Sequence, residues 1–191
     1  MGSSRALAGW LLVVSGCYAD LGMHVLSTHQ VGPDGRGGDL DEGAVDVSVL
    51  VSVGVVAPGR TFTGMLGYTY GTTEVETDAV DIRASEHLLS ARADVPLEPS
   101  DDDVRHGPIA TVGLGYGKGF VDRTIPGVVD ASASGGALQV MAGGGYAGSN
   151  ADSGVYAAAT AVGVYRRIGT DAVGTTSAFG GGLHLTVSLK N

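Results

Sequence analysis

The sequence predicts an all-β protein, an antiparallel up-and-down β-barrel of about eight strands. Apolar residues recur at every second position in many segments, no stretch has a sustained helical period, and glycine is abundant, at 33 of 191 residues. Period-two alternation gives a strand one apolar face, and glycine lets strands bend and approach each other closely. An even number of antiparallel strands can close into a barrel that has no free edge.

The clearest strand covers residues 45–55, where valine holds every odd position and the even positions are mostly small or polar. The same alternation runs from Phe179 to Leu189 and defines further strands at 62–70, 110–116, 138–142 and 156–164. The two weakest strands lie near 21–30 and 80–95. Within 80–95 the apolar parity changes, which predicts a β-bulge near Glu86 to Leu88 or, alternatively, two short strands.

The predicted connections alternate in length. Residues 32–43 and 121–136 form long loops, 71–79 and 168–176 medium ones, and 57–60 and 148–153 short turns. This alternation is typical of outer-membrane barrels, which have short periplasmic turns and longer external loops. Residues 96–107 depart from the pattern, because a short turn is expected there.

The N-terminal segment ends at Cys17, the single cysteine of the chain. Arg5, an apolar stretch over 6–14 and small residues precede it, an order that resembles the lipobox signal peptide of bacterial lipoproteins. The resemblance implies that residues 1–16 are removed and that the Cys17 thiol carries a lipid anchor, leaving one domain over 17–191. The stretch is too short to span a bilayer as a helix, which takes ~20 residues. The alternative is a buried N-terminal strand that ends in cysteine.

Only residues 18–20 are predicted to separate Cys17 from the first strand. Three residues reach about 10 Å, so the domain is expected at the membrane surface or inside the membrane. The net charge of −9 argues against nucleic acid and against polyanionic head groups as main partners. No cofactor or metal site is predicted, because the histidines are dispersed and the acidic run at Asp101 to Asp103 is interpreted as a solvated turn.

Aromatic residues on the apolar parity fall near strand ends and form two bands. They are Phe62, Tyr68, Tyr70, Tyr116, Phe120, Tyr146, Tyr156 and Phe179. Two such bands are typical of the interfacial girdles of membrane barrels; the alternative is that they cover the mouths of a soluble barrel. Lys118 and Arg166 are predicted to point outward near strand ends, where long cations snorkel. The opposite parity carries the candidate lumen residues Asp46, Arg83, Glu86, Arg92, Asp94 and His184.

The strand pattern, together with Gly-Tyr-Gly-Lys-Gly-Phe at 115–120, resembles small eight-stranded outer-membrane β-barrel proteins. Together with the lipobox resemblance, it implies a lipid-anchored protein of a Gram-negative outer membrane with a non-catalytic structural or surface-interaction role. Its expected partner is membrane lipid, through Cys17 and the barrel exterior. Two alternatives stay open: a periplasmic lipid-anchored barrel that binds a small apolar ligand, and a lipid-modifying enzyme. The enzyme would use His184, which shares a face with Ser188, but the sequence places no carboxylate beside these two. Facing the lumen, His184 is expected to pair with Asp46 or Glu86 as an acid–base couple or to be a structural hydrogen-bonding residue.

Overall fold

In the computed structural model the chain is a closed antiparallel barrel, described over residues 16–33, 39–58, 62–76, 80–98, 104–128, 130–150 and 154–190. Each strand pairs with the next one in the chain, and β8 pairs with β1. The predicted fold class is therefore confirmed. The strands are β1 (Gly16–Pro33), β2 (Asp39–Pro58), β3 (Thr63–Glu76), β4 (Asp81–Pro96), β5 (Val104–Thr124), β6 (Ala131–Asn150), β7 (Val155–Thr170) and β8 (Gly174–Lys190).

The strands are staggered around the barrel. Paired residues followed once around from Leu21 return to β1 at Val31, ten residues further along. Such a stagger tilts the strands and closes the sheet. Every strand has 14 or more residues, whereas crossing a bilayer takes about 9–11. The barrel is therefore taller than the hydrocarbon layer of a membrane. No helix in the described ranges is long and apolar enough to cross a membrane.

The predicted bulge in β4 is wrong. β4 pairs without interruption with β3 from Asp81 to Asp94 and with β5 from Asp81 to Pro96, and its even-numbered side chains point inward from Ile82 to Asp94. Ile82 and Ala84 are therefore inside the barrel, on the same face as Leu88. The apolar residues of β4 are even-numbered near the loop connections and odd-numbered further along, although the backbone stays regular. The parity changes because the surroundings of the barrel wall differ between these two levels.

The predicted long connections are also wrong, since most of their residues belong to strands. β1 continues to Pro33 and β2 begins at Asp39, while β5 ends at Thr124 and β6 begins at Ala131. The connection predicted at 96–107 shortens to 97–103. Backbone pairing satisfies the hydrogen bonds of the peptide groups whatever the polarity of the side chains. Strand pairing therefore continues into segments whose sequence is typical of loops.

The predicted spacer between Cys17 and the first strand is also wrong, because strand pairing continues through these residues. β1 begins at Gly16, and residues 17–20 pair with both β2 and β8. Cys17 is thus part of the barrel wall. Residues 1–15 lie outside the described residues, so the signal peptide and its removal stay predictions.

The barrel has two different ends, which we call the terminal end (Gly16 and Lys190) and the loop end (the β1–β2, β3–β4, β5–β6 and β7–β8 connections). An apolar cluster fills the interior at the loop end, and residues from three connections contribute to it. Its buried members are Val80, Ile82, Ala84, Leu88, Val121, Ile125, Ala137, Ile168 and Val173. These side chains pack against one another inside the barrel at this end.

Candidate functional site

A buried ionic network occupies the middle of the lumen. We call it the lumen network. Its charged and histidine side chains come from β1, β4, β7 and β8, and inward parity places all of them inside. They are Asp20, His24, Glu86, Arg92, Asp94, Arg166 and His184, each almost fully buried. A buried charge is destabilising unless it is paired and hydrogen-bonded. The stability of this network therefore depends on the contacts among its side chains.

Arg92 bridges two carboxylates at the terminal end of the network. Its Nη1 donates to Asp20 Oδ1 at 3.1 Å, and its Nε and Nη2 donate to the two oxygens of Asp94 at 2.9 and 3.1 Å. Thr111 and Tyr156 donate further hydrogen bonds to Asp94, at 2.6 and 2.7 Å. The bidentate contact fixes the guanidinium in one orientation.

Two histidines continue the network towards the loop end. His184 Nδ1 lies 2.6 Å from Asp20 Oδ2, and its Nε2 lies 2.8 Å from Nε2 of His24. On the other side of His24, Arg166 Nη2 lies 3.0 Å from Nδ1. Because Arg166 only donates, His24 Nδ1 accepts and its proton is on Nε2. His24 then donates to His184, whose proton is on Nδ1 and is donated to Asp20.

Arg166 completes the network at Glu86. Its Nε lies 3.1 Å from Glu86 Oε1, and its Nη1 donates to Ser48 Oγ at 2.5 Å. The prediction that Arg166 points outward is wrong, because the even-numbered residues of β7 face the lumen. The prediction that His184 pairs with Glu86 is also wrong, since His184 contacts Asp20 and His24 instead.

The network lacks the arrangement of a hydrolase triad. Asp20 and His184 have the hydrogen bond that orients a catalytic base, but His184 Nε2 is engaged by His24. Ser188 also faces the lumen, four residues along β8, which corresponds to about 13 Å. Ser188 is therefore too far from His184 to be activated as a nucleophile.

Among the described lumen side chains, two cavities are small. One lies beside Thr28, Glu86 and Arg166, the other beside Tyr18, Ser52 and Gln139, and each has a volume of about 20 Å³. That is room for about one water molecule and is too small for an apolar ligand. Within the described ranges no group of three or more His, Cys, Asp or Glu side chains is placed to hold a metal ion.

Four of the predicted lumen residues, Glu86, Arg92, Asp94 and His184, are buried members of the lumen network. Arg83 is a correction. It points outward from β4, its side chain is 68% exposed, and its Nε donates to Glu74 Oε1 at 2.8 Å. Arg83 was assigned inward because the predicted bulge reversed the parity of β4. Asp46 is in β2, but its side chain lies outside the described residues.

Sequence reasoning missed Asp20 and His24. Asp20 was assigned to the spacer, and His24 was one of several dispersed histidines. The signal was present as the even-numbered series Tyr18, Asp20, Gly22, His24, which continues the inward parity of β1 back to its first residue. Gly22 leaves space for His184, since a Cβ at this position would be 2.8 Å from the His184 ring.

Six of the predicted girdle aromatics point outward and are exposed: Tyr68, Tyr70, Tyr116, Phe120, Tyr146 and Phe179. Phe62 lies just before β3 and is half-buried. Tyr156 is a correction, because it faces the lumen and bonds Asp94. The sequence predicts that the apolar parity of β7 points outward, but Val162 and Val164 are buried inside. Tyr165, which sequence reasoning missed, is the exposed aromatic of β7.

The outer wall of the barrel is apolar around its circumference. Each of the eight strands presents a large exposed apolar side chain outward, for example Met23, Val49, Leu66, Leu89, Leu114, Val140, Tyr165 and Leu185. Cys17 is also exposed on this wall, between its paired neighbours Val55 and Leu189. The charged network lies inside and the apolar surface outside, which inverts the arrangement of a soluble barrel.

The barrel is similar to solved structures of surface proteins. Neisserial surface protein A (NspA) is 16% identical, with a TM-score of 0.52 over 92% of this chain and 97% of that one. Ail, the attachment invasion locus protein of Yersinia pestis, was solved with the heparin analogue sucrose octasulfate. It is 12% identical, with a TM-score of 0.42 over 90% of this chain and 99% of that one. No protein-family model and no curated protein sequence matches the chain. At 16% identity, the similarity to NspA shows the fold alone.

Proposed function

We propose that this chain is a lipid-anchored β-barrel of a Gram-negative outer membrane, with a non-catalytic structural or surface-interaction role. The observation that carries the proposal is the inverted polarity of the wall, which is apolar outside and charged inside. Exposure of apolar side chains to water costs about 25 cal/mol per Å², and monomeric soluble proteins rarely have contiguous apolar patches above a few hundred Å². Contact with lipid removes this cost.

The loop end supports the same location. There most inward side chains are apolar, as Ile82, Val121 and Ile168 are, with the buried Arg123 among them. Arg83 and Asp122 point outward and are exposed. A charged outer face around a mainly apolar interior is typical of a barrel wall in water. A wall that has lipid around its middle and water around its loop end accounts for both patterns with one regular backbone.

Cys17 supports the anchor. It is exposed on the apolar wall near the terminal end, beside Val55 and Leu189. Acyl chains attached to its sulfur can lie along the wall, in the leaflet that surrounds this end. Because Cys17 is part of β1, the anchor and the wall enter the same membrane.

The filled lumen supports a role that depends on the surface of the barrel. A small apolar ligand has no room in the two described cavities, and His184 has no free nitrogen for a reaction. The apolar cluster at the loop end and the lumen network fill the interior in succession, which argues against a wide pore. A structural or surface-interaction role remains, with NspA as an example of a surface protein that has this fold.

Extraction and gel mobility test the proposal. Wild type and Cys17→Ser are extracted with detergent and compared before and after boiling. We expect both to stay in the membrane fraction and to show a mobility shift on boiling, because the wall itself holds the barrel in lipid. A Cys17→Ser protein that is soluble and folded without detergent would contradict the membrane barrel. Fatty-acid labelling that persists in Cys17→Ser would contradict the anchor.

A further inference from the structure

Two cations on the outer wall lie on either side of β6. Lys118 on β5 pairs with Gly136, and Arg167 on β7 pairs with Leu138, two residues further along β6. Both side chains point outward and are exposed. Adjacent strands are about 4.8 Å apart, so the Cα atoms of Lys118 and Arg167 are roughly 10–12 Å apart. That separation lets both long side chains reach one group between them.

The outward face of β6 between the two cations is open at Gly136. A Cβ at Gly136 would have only the Tyr116 hydroxyl within 4 Å, at 3.9 Å, and a Cβ at Gly169 would have no atom within 4 Å. Leu138, the partner of Arg167 on β6, lies on the same outward face. We call the gap over Gly136, between Lys118 and Leu138, the depression.

Neither cation has an acidic partner among the described residues, whereas Arg83 is paired with Glu74. The nearest outward carboxylate on β5 is Asp122, four residues from Lys118, and its register partner on β4 is Arg83. Lys118 Nζ instead lies 5.1 Å from the centroid of the Phe120 ring. The two cations therefore keep their charge available for an anion from outside the protein.

Amphipathic rings surround the Lys118 side of this depression. His87 is the register partner of Lys118 on β4, and its ring contacts Tyr68, Tyr70 and Phe120 with centroids 5.9, 5.1 and 5.5 Å apart. Aromatic residues of this kind are enriched at the level of lipid headgroups. At the same level the outward residues of β5 change from the apolar Leu114 and Tyr116 to a mixed series in which Phe120 lies between Lys118 and Asp122. Lys118 and Arg167 are thus placed where headgroups begin.

We propose that Lys118 and Arg167 bind the phosphate of a phosphate-bearing lipid in the leaflet that surrounds the loop end. The inference rests on the proposed membrane location. The acyl chains of the lipid lie against the apolar wall below, and its phosphate enters the depression over Gly136. Charge complementarity selects an anionic headgroup, and the apolar wall selects a lipid over a free phosphate ion.

Lipid binding in detergent tests the site. The mature full-length barrel in a neutral detergent is titrated with diphosphorylated lipid A, and bound lipid is counted by native mass spectrometry. Lys118→Gln and Arg167→Gln should each weaken binding about fivefold, and the double variant about twenty-fivefold. Arg83→Gln removes the same charge from the same wall but is already paired, so it serves as the matched control and should keep the wild-type affinity.

Two results would overturn the phosphate site: Lys118→Gln and Arg167→Gln bind no worse than Arg83→Gln, or lipid A without its phosphates binds as tightly as the diphosphorylated form. Heat-dependent gel mobility of every variant is measured in parallel. Variants that stay folded in detergent but do not discriminate phosphate disprove the site alone. A wild-type protein that does not fold in detergent disproves the membrane location on which the site rests.

Discussion

Arg92 is a buried cation of the lumen network, and Arg83 on the same strand is its outward counterpart. The Arg92 side chain is 5% exposed and lies between Asp20 and Asp94, while Arg83 forms a pair in open surroundings. Comparing the two arginines distinguishes the effect of burial on the free energy of unfolding from the effect of charge. Removing one partner of a buried ion pair leaves the other charge buried and unpaired, which is destabilising.

We predict that Arg92→Met lowers the free energy of unfolding by about 3–5 kcal/mol, because it leaves two buried carboxylates without their cation. Arg83→Met should leave the free energy of unfolding essentially unchanged, since water solvates Glu74 after the change. Urea titration of the barrel in lipid vesicles, followed by the mobility of the folded band, measures both. Equal stabilities of the two variants would contradict the buried network.

The inward parity of Arg92, Asp94 and His184 was predictable from the alternation of charged and apolar residues. The contacts between His24 and His184 were not, because 160 residues separate them and only closure of β8 on β1 brings them together. Alternation specifies a face of one strand. Which side chains meet across the lumen depends on the register of all eight strands.

At the scale of the strand, the apolar face can point outward or inward, depending on what surrounds the barrel wall. In the proposed membrane, most large apolar residues around the middle of the wall point outward to lipid, whereas at the loop end Ile82 in β4 and Ile168 in β7 point inward. β7 departs from this pattern, since Val162 and Val164 are also buried inside. A bulge is predicted in β4 only if the apolar residues are assumed to point outward along the whole strand. β2 was predicted correctly from Val45 to Val55 because its outward face is apolar over the entire span.

β5 supplies a matched test of this interpretation, since its even-numbered residues point outward along its length. We predict that Leu114→Arg lowers the free energy of unfolding in vesicles by about 2–4 kcal/mol, because it places a charge in the middle of the lipid-facing wall. Thr124→Arg, at the loop end of the same face, should cost about 0–1 kcal/mol. The urea titration used for Arg92 measures both values.

Equal costs for Leu114→Arg and Thr124→Arg would mean that the polarity of the surroundings does not change along β5. The change at the loop end would then need another explanation. A larger cost at Thr124 than at Leu114 would place lipid at the wrong end of the strand.

At the scale of the molecule, the barrel is a filled cylinder with an apolar outer wall. Eight strands enclose a space that side chains can fill, and here a charged network and apolar clusters fill it. The sequence was sufficient for strand number, antiparallel order and closure, because alternation and glycine content recur along the whole chain. Connection lengths were not predictable, since pairing continues through Asp39 to Ala44 and Ala131 to Gly136, where side chains resemble those of loops.

The central claim is that the odd-numbered side chains of β2 face lipid. Because the chain has one cysteine, single cysteines at positions 47–54 can be spin-labelled in a Cys17→Ser background and reconstituted in vesicles. Labels at Val47, Val49, Val51 and Val53 should collide frequently with oxygen and rarely with a water-soluble nickel chelate, and even positions should be shielded from both. Frequent collisions with the nickel chelate at the odd positions would contradict a membrane barrel.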